Sequence, residues 1–210
     1  MKVLVENMTP IVVAFKAHMG WVNAVAVVIN QPTPVVTHAL RIDLVDSNNR
    51  SVREPYHVAG GWDGLERVPR PANPAETVQT GLAAQLGLAK SKLARFNGDL
   101  TADQYDWQRG VMLTGRGIIH DDLEDILGSH AHIHVAEGEA TRDATRVSID
   151  ALHIELVNQD EKDIKGLCET ALACSDADEY MKHRRPENAR SWTKEHRLIA
   201  LGAWLHNERA

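Results

Sequence analysis

Two apolar runs close to the N-terminus restrict the fold more than anything else in the sequence. Ile11 to Phe15 (IVVAF) is continuous and rich in β-branched residues, as in a strand buried on both faces. The turn Lys16-Ala17-His18-Met19-Gly20 leads into Val22 to Ile29, in which Asn23 is the sole polar residue. Pro32 and Pro34 end that run, since proline has no N–H to give to a central ladder. From Val35 to Val45 the pattern alternates. Val36, His38, Leu40, Ile42 and Leu44 share one side and Thr37, Arg41 and Asp43 the other, as in a half-exposed edge strand. Three such strands joined by short turns predict an antiparallel meander.

Helices and strands alternate after a long connection. Residues 46–72 hold Gly60, Gly61 and Gly64 and read as a loop, whose Tyr56, His57 and Trp62 either cap the sheet edge or cover a cleft. Asn73-Pro74-Ala75-Glu76 is a helix start, and Val78, Leu82, Leu86, Ala89, Leu93 and Phe96 follow at helical spacing until Gly98. Gly110 to Thr114 predicts a fourth strand. Asp121-Asp122 opens a short helix closed by Gly128. Ala131 to Ala136 reads as a fifth strand that runs through an acidic turn into a helix from Glu139 to Leu152. A strand at Ile154–Val157, a helix over 160–173, a polar loop over 175–190 and a closing helix over 193–206 complete the order. No linker interrupts it, so the expectation is one α/β domain over residues 1–210, three layers deep, on a mixed sheet.

Composition excludes several classes of function. A net charge of -6 disfavours non-specific nucleic-acid binding over the whole surface, although Lys182-His183-Arg184-Arg185 leaves a local basic patch. No run approaches the roughly 20 apolar residues of a membrane span, so no membrane partner is expected. Cys168 and Cys174 lack a metal-type spacing and suit a reducing, cytoplasmic setting. There is no G-x-S-x-G elbow and no phosphate loop of the G-x-x-x-x-G-K-[ST] type.

Three groups of residues carry candidate chemistry. Glu137-Gly138-Glu139, placed on a strand-to-helix turn, presents two carboxylates that could share a hard cation or form an acid–base pair. His130, His132 and His134 would share one face of the predicted strand. A transition metal such as Zn²⁺ could then be held by His132 and His134 with Glu137. Lys16, His18 and the turn Gly115-Arg116-Gly117 would converge on the same sheet edge and receive an anion, with Lys16 steadying a reacting phosphate.

This order of elements resembles the RNase H-like fold in its resolvase and YqgF-type branches. There the first, fourth and fifth strands are parallel and end on one rim. The strings HMGWVNAVAVV, SHAHIHVAEGEATRDA and WTKEHRLIALGAWL also resemble a bacterial family of hypothetical proteins, which implies no activity. The RNase H-like resemblance implies carboxylates on the first strand, at the end of a later strand and on the last helix, holding Mg²⁺ or Mn²⁺ for phosphodiester hydrolysis. Glu137 and Glu139 match the later-strand position and Glu195 the last helix. The first strand departs from the pattern, with Ala14, Phe15, Lys16 and His18 where an aspartate is expected. The resemblance therefore implies a phosphate-bearing or nucleic-acid partner. The departure leaves two alternatives: a non-catalytic, protein-binding scaffold with a degenerate centre, or a histidine-based metal site.

Overall fold

The structure is a computed structural model that describes residues 8–46, 48–115 and 120–207. The strands β1 (Thr9–His18), β2 (Trp21–Val28) and β3 (Val36–Asp43) form the meander that the apolar runs predict. β1 pairs antiparallel with β2 from Ile11↔Val28 to His18↔Trp21, and β2 pairs antiparallel with β3 from Trp21↔Asp43 to Val27↔Val36. Gly20 turns the first hairpin with a φ of 77°, and a Cβ there would stand 2.7 Å from Val45 Cγ2.

Residues 46–72 are not a bare loop. They fold into α1 (Arg50–Arg53), α2 (Pro55–Gly60) and a small ribbon of β4 (Trp62–Asp63) with β5 (Glu66–Arg67). These pieces are too short to show a periodicity, which is why the pattern misses them. The long helix α3 (Pro74–Ala102) begins where expected, with the Asn73 side chain accepting the N–H of Glu76. It passes Gly98 because Leu100 extends the buried line of Leu93 and Phe96. β6 (Tyr105–Thr114) likewise starts before Gly110, and a register shift opposite Ile11 and Val12 breaks its alternation.

The largest departure lies after α4 (Leu123–Gly128): residues 131–136 are not a strand. One helix, α5 (His130–Asp150), replaces both the predicted fifth strand and the helix after it. Ser129 caps it, and its buried side is Ile133, Glu137, Thr141, Ala144, Thr145, Ser148 and Ile149, recurring at helical spacing. Most of that side is polar, so an apolar stripe cannot be seen in the sequence. The hydroxyls satisfy themselves within the helix: Thr141, Thr145 and Ser148 donate to the carbonyls of Glu137, Thr141 and Ala144 at 3.1, 2.8 and 2.6 Å.

The chain closes with β7 (Glu155–Asp160), α6 (Glu161–Ala171), α7 (Ala177–Met181) inside the polar 175–190 stretch, and α8 (Lys194–Leu205). The main sheet runs β3-β2-β1-β6-β7, with β1, β6 and β7 parallel. Ile11, Val13 and Phe15 face α3 and α5 through Leu93, Phe96 and Ile149. Val12 and Ala14 face α6, α7 and α8 through Ile164, Met181 and Ile199. The result is a single three-layer α/β domain on a mixed sheet, in which the carboxyl ends of β1, β6 and β7 share one rim. No helix among the described residues is long and apolar enough to cross a membrane.

Candidate metal centre and carboxylate rim

The crossover from β6 to β7 carries α5 back along the sheet, so its first turns lie beyond the carboxyl rim. Gly20 in the β1–β2 turn donates to Thr141 Oγ1 at 3.0 Å, which sets Thr141 level with the end of β1. His130, His134 and Glu137 precede it on the same helix, under α2. Ala59, Ile126, Leu127 and Ile133 form a small separate core beneath them.

His130 and His134 are four apart on one helical face, and α2 places His57 against both. The ring centroids lie 5.2 Å (His57–His130), 4.8 Å (His57–His134) and 4.5 Å (His130–His134) apart, all edge-on. One ligand atom from each ring can be chosen so that all lie within 4.8 Å of one another, with His57 buried and His134 exposed. An ion held at about 2.1 Å by each nitrogen needs separations near 3.4 Å, so the rings must close in by side-chain rotation to hold one. Burial and the two neighbouring rings lower the pKa of His134, favouring the neutral imidazole that a metal requires.

Glu137 stands behind His57. Its side chain is fully buried, and Oε1 accepts the backbone N–H of Tyr56 at 2.9 Å and of His57 at 3.2 Å. Burial pushes its pKa up, against the His57 ring and those two N–H groups. The same oxygen lies 3.5 Å from His57 Nδ1. Both His57 Nδ1 and Glu137 Oε2 are buried without a hydrogen-bond partner. A ring that turns Nδ1 to a carboxylate presents Nε2 on its other side, the arrangement in which an outer carboxylate orients a metal-binding histidine. The donor set and the orphaned pair together fit a transition-metal ion.

The other expected site residues scatter. Glu139 points away from Glu137, as residues two apart on a helix must, and pairs with Arg142. The two glutamates therefore cannot share a cation. His132 leaves the other histidines, stacks on His120 at 3.8 Å and turns Nδ1 to the Asp125 carbonyl. Gly115 follows β6 in open space, while Arg116 and Gly117 lie outside the described residues. Lys16 and His18 are on the opposite face of the sheet from Glu137, so the two groups form separate centres.

That second centre is a rim of charges. Lys16 Nζ lies 2.8 Å from Glu161 Oε2 and 3.5 Å from Glu195 Oε2. Glu195 Oε1 meets His18 Nε2 at 2.8 Å and also accepts from Asn23. Burial opposes ionisation of Glu195, but His18, Asn23 and Lys16 outweigh it and hold the carboxyl below its ordinary pKa. An ammonium thus fills the space between the two carboxylates. The rim does not fit the divalent ion that the resemblance implies. Beside it opens a groove of about 810 Å³, where His18 stacks on Trp21 at 3.8 Å and the Arg41 guanidinium lies 4.1 Å above the same indole.

Sequence reasoning missed Glu161, Asn23 and Trp21, and placed His57 at the sheet edge or over a cleft rather than among the histidine donors. His57 sits in a six-residue helix with no periodic signal. The pairing of His130 with His134 was visible as His-x-x-x-His once the segment is read as a helix.

No family model and no curated protein matches the sequence. Among solved structures, the fold is similar to T. thermophilus RuvC in complex with a Holliday junction substrate. The TM-score is 0.51 at 6% identity, over 92% of this chain and 90% of that one. A second Thermus thermophilus RuvC structure aligns at a TM-score of 0.42 and 8% identity, over 91% and 92% of the two chains. At these identities the likeness to the first is one of fold, and the topology here is RNase H-like.

Proposed function

We propose that this protein binds a transition-metal ion of the Zn²⁺ type through His57, His130 and His134, on an RNase H-like scaffold. The observation that carries this reading is the convergence of the three imidazoles beside a buried Glu137 whose Oε2 has no hydrogen-bond partner. Neutral imidazole suits Zn²⁺ and disfavours Mg²⁺, which takes oxygen ligands. Three protein ligands and an exposed outer side leave one coordination position open, as in sites where zinc acts as a Lewis acid. Glu137 would hold His57 in the tautomer that binds. The test is metal content and thermal melting: the protein should take up one Zn²⁺ with a raised Tm, and His134→Ala should lose both. A melting curve that zinc leaves unchanged would end this reading.

A second reading concerns the groove beside the rim, and the His18–Trp21–Arg41 stack favours it. A planar base can lie against such a stack, and Arg190, lining the groove, supplies positive charge, while Arg41 is paired with Asp43 beside it. The similar RuvC structure holds a Holliday junction substrate. In this reading the groove binds nucleic acid without cleaving it, because Lys16 stands between the carboxylates. Quenching of tryptophan fluorescence by a single-stranded oligonucleotide, absent in Trp21→Leu, tests it.

A further inference from the structure

The rim gathers two carboxylates from different elements around a single ammonium. Glu161 opens α6 just past the carboxyl end of β7, and Glu195 lies in the first turn of α8. The side chains of Lys16, Glu161 and Glu195 are only 24%, 24% and 26% exposed. Two acids held that close and that far from water repel unless a cation stands between them. Lys16 reaches that point from β1, on the side shared with Val12 and Ala14.

Glu195 does not depend on the lysine for its orientation. Its Oε1 is fixed by His18 and Asn23, which leaves Oε2 turned towards Lys16. Glu161 is the first residue of α6, so its backbone is fixed at the end of β7, while its carboxylate pairs with Lys16. If the ammonium were removed, the Glu195 carboxylate would remain in place and the Glu161 carboxylate would be free beside it.

We propose that Lys16 is a tethered cation standing where a divalent ion would otherwise sit, so that the natural rim is closed to Mg²⁺ and a lysine-free rim binds it through Glu161 and Glu195. A lysine supplies positive charge at one point but cannot exchange or lend a coordination position to a ligand. The natural rim can thus hold its shape without metal and has no means of metal-assisted chemistry. This inference is independent of the histidine centre, which lies across the sheet and has nitrogen donors.

The experiment is a Mg²⁺ titration followed by thermal melting and calorimetry, on the natural protein and on Lys16→Gln. Mg²⁺ is chosen because imidazoles bind it poorly. The natural protein should show no shift. Lys16→Gln should show a saturable rise of about 3–5 °C at roughly tenfold the dissociation constant, lost again in Lys16→Gln/Glu161→Gln. Lys16→Met, which keeps the apolar stem, is read in the same titration should Lys16→Gln fold poorly. Two results would overturn the proposal: a Mg²⁺ shift in the natural protein that Glu161→Gln removes, or folded lysine-free variants that stay indifferent to Mg²⁺.

Discussion

The histidine centre and the Lys16 rim use similar residues and end in opposite states. At the rim each charge has an answer: Lys16 meets Glu161 and Glu195, and Glu195 also meets His18 and Asn23. At the histidine centre Glu137 Oε2 is buried without a partner, and His57 Nδ1 meets the other carboxylate oxygen only at 3.5 Å, too long for a hydrogen bond. Each such group carries a penalty of about 1–3 kcal/mol, which a bound ion and the ring rotation that goes with it can relieve. A cluster of ionisable residues therefore says little by itself. What separates a settled ion-pair network from a binding site is whether the pairing is complete.

The sharpest break of this contrast is removal of a histidine. At a Zn²⁺ concentration roughly a hundredfold above the dissociation constant, binding should add about 2.7 kcal/mol, or about 5–10 °C in Tm. His130→Ala or His134→Ala should lose the whole of it in a melting experiment. Should the shift survive in both, the two histidines are not ligands.

A smaller effect is expected from Glu137→Gln, which keeps the side-chain volume but loses the charge behind His57. Zinc affinity should fall about 10–100-fold by competition with a chelating dye. An unchanged affinity would reduce Glu137 to a helix–helix contact.

The rim should answer to pH rather than to metal. Glu195 has a lowered pKa in the folded protein, so its contribution is present above the unfolded value near 4.5 and is lost as pH falls through the folded value. Denaturant melts of the natural protein and Glu195→Gln should converge as the solution is acidified. The gap at neutral pH should be about 1 kcal/mol or less, since the pair is partly exposed. A gap that widens in acid would contradict the pairing.

The least effect belongs to the groove. Replacing Arg190 by Ala should weaken oligonucleotide binding evenly across sequences and reduce its salt slope by about one. No change in slope would place Arg190 outside the contact.

Much of the scaffold was legible in the sequence, because its strands and caps are local. The IVVAF run, the Pro32 and Pro34 break and the Asn73 cap each act through neighbouring residues, and each stands in the structure as expected. The later part of α5 was legible as a helix from Glu139, but its first turns were not, for a physical reason. His130, His132 and His134 imitate a two-residue period, and the buried side of the helix mixes Glu137, Thr141, Thr145 and Ser148 with Ile133, Ala144 and Ile149. The candidate site was half legible. The histidines drew notice, but the choice among them depends on the helical turn that sets His132 apart and on His57 arriving from a distant segment.

None of the imidazoles at the proposed metal centre comes from a strand. His57 belongs to a short insertion between β3 and α3, and His130 and His134 to the opening turns of a crossover that overhangs the rim. The sheet supports this apparatus but contributes no atom to it. Two proteins could accordingly share every strand of this architecture and differ wholly in what they coordinate, because the ligands are cargo that the scaffold carries.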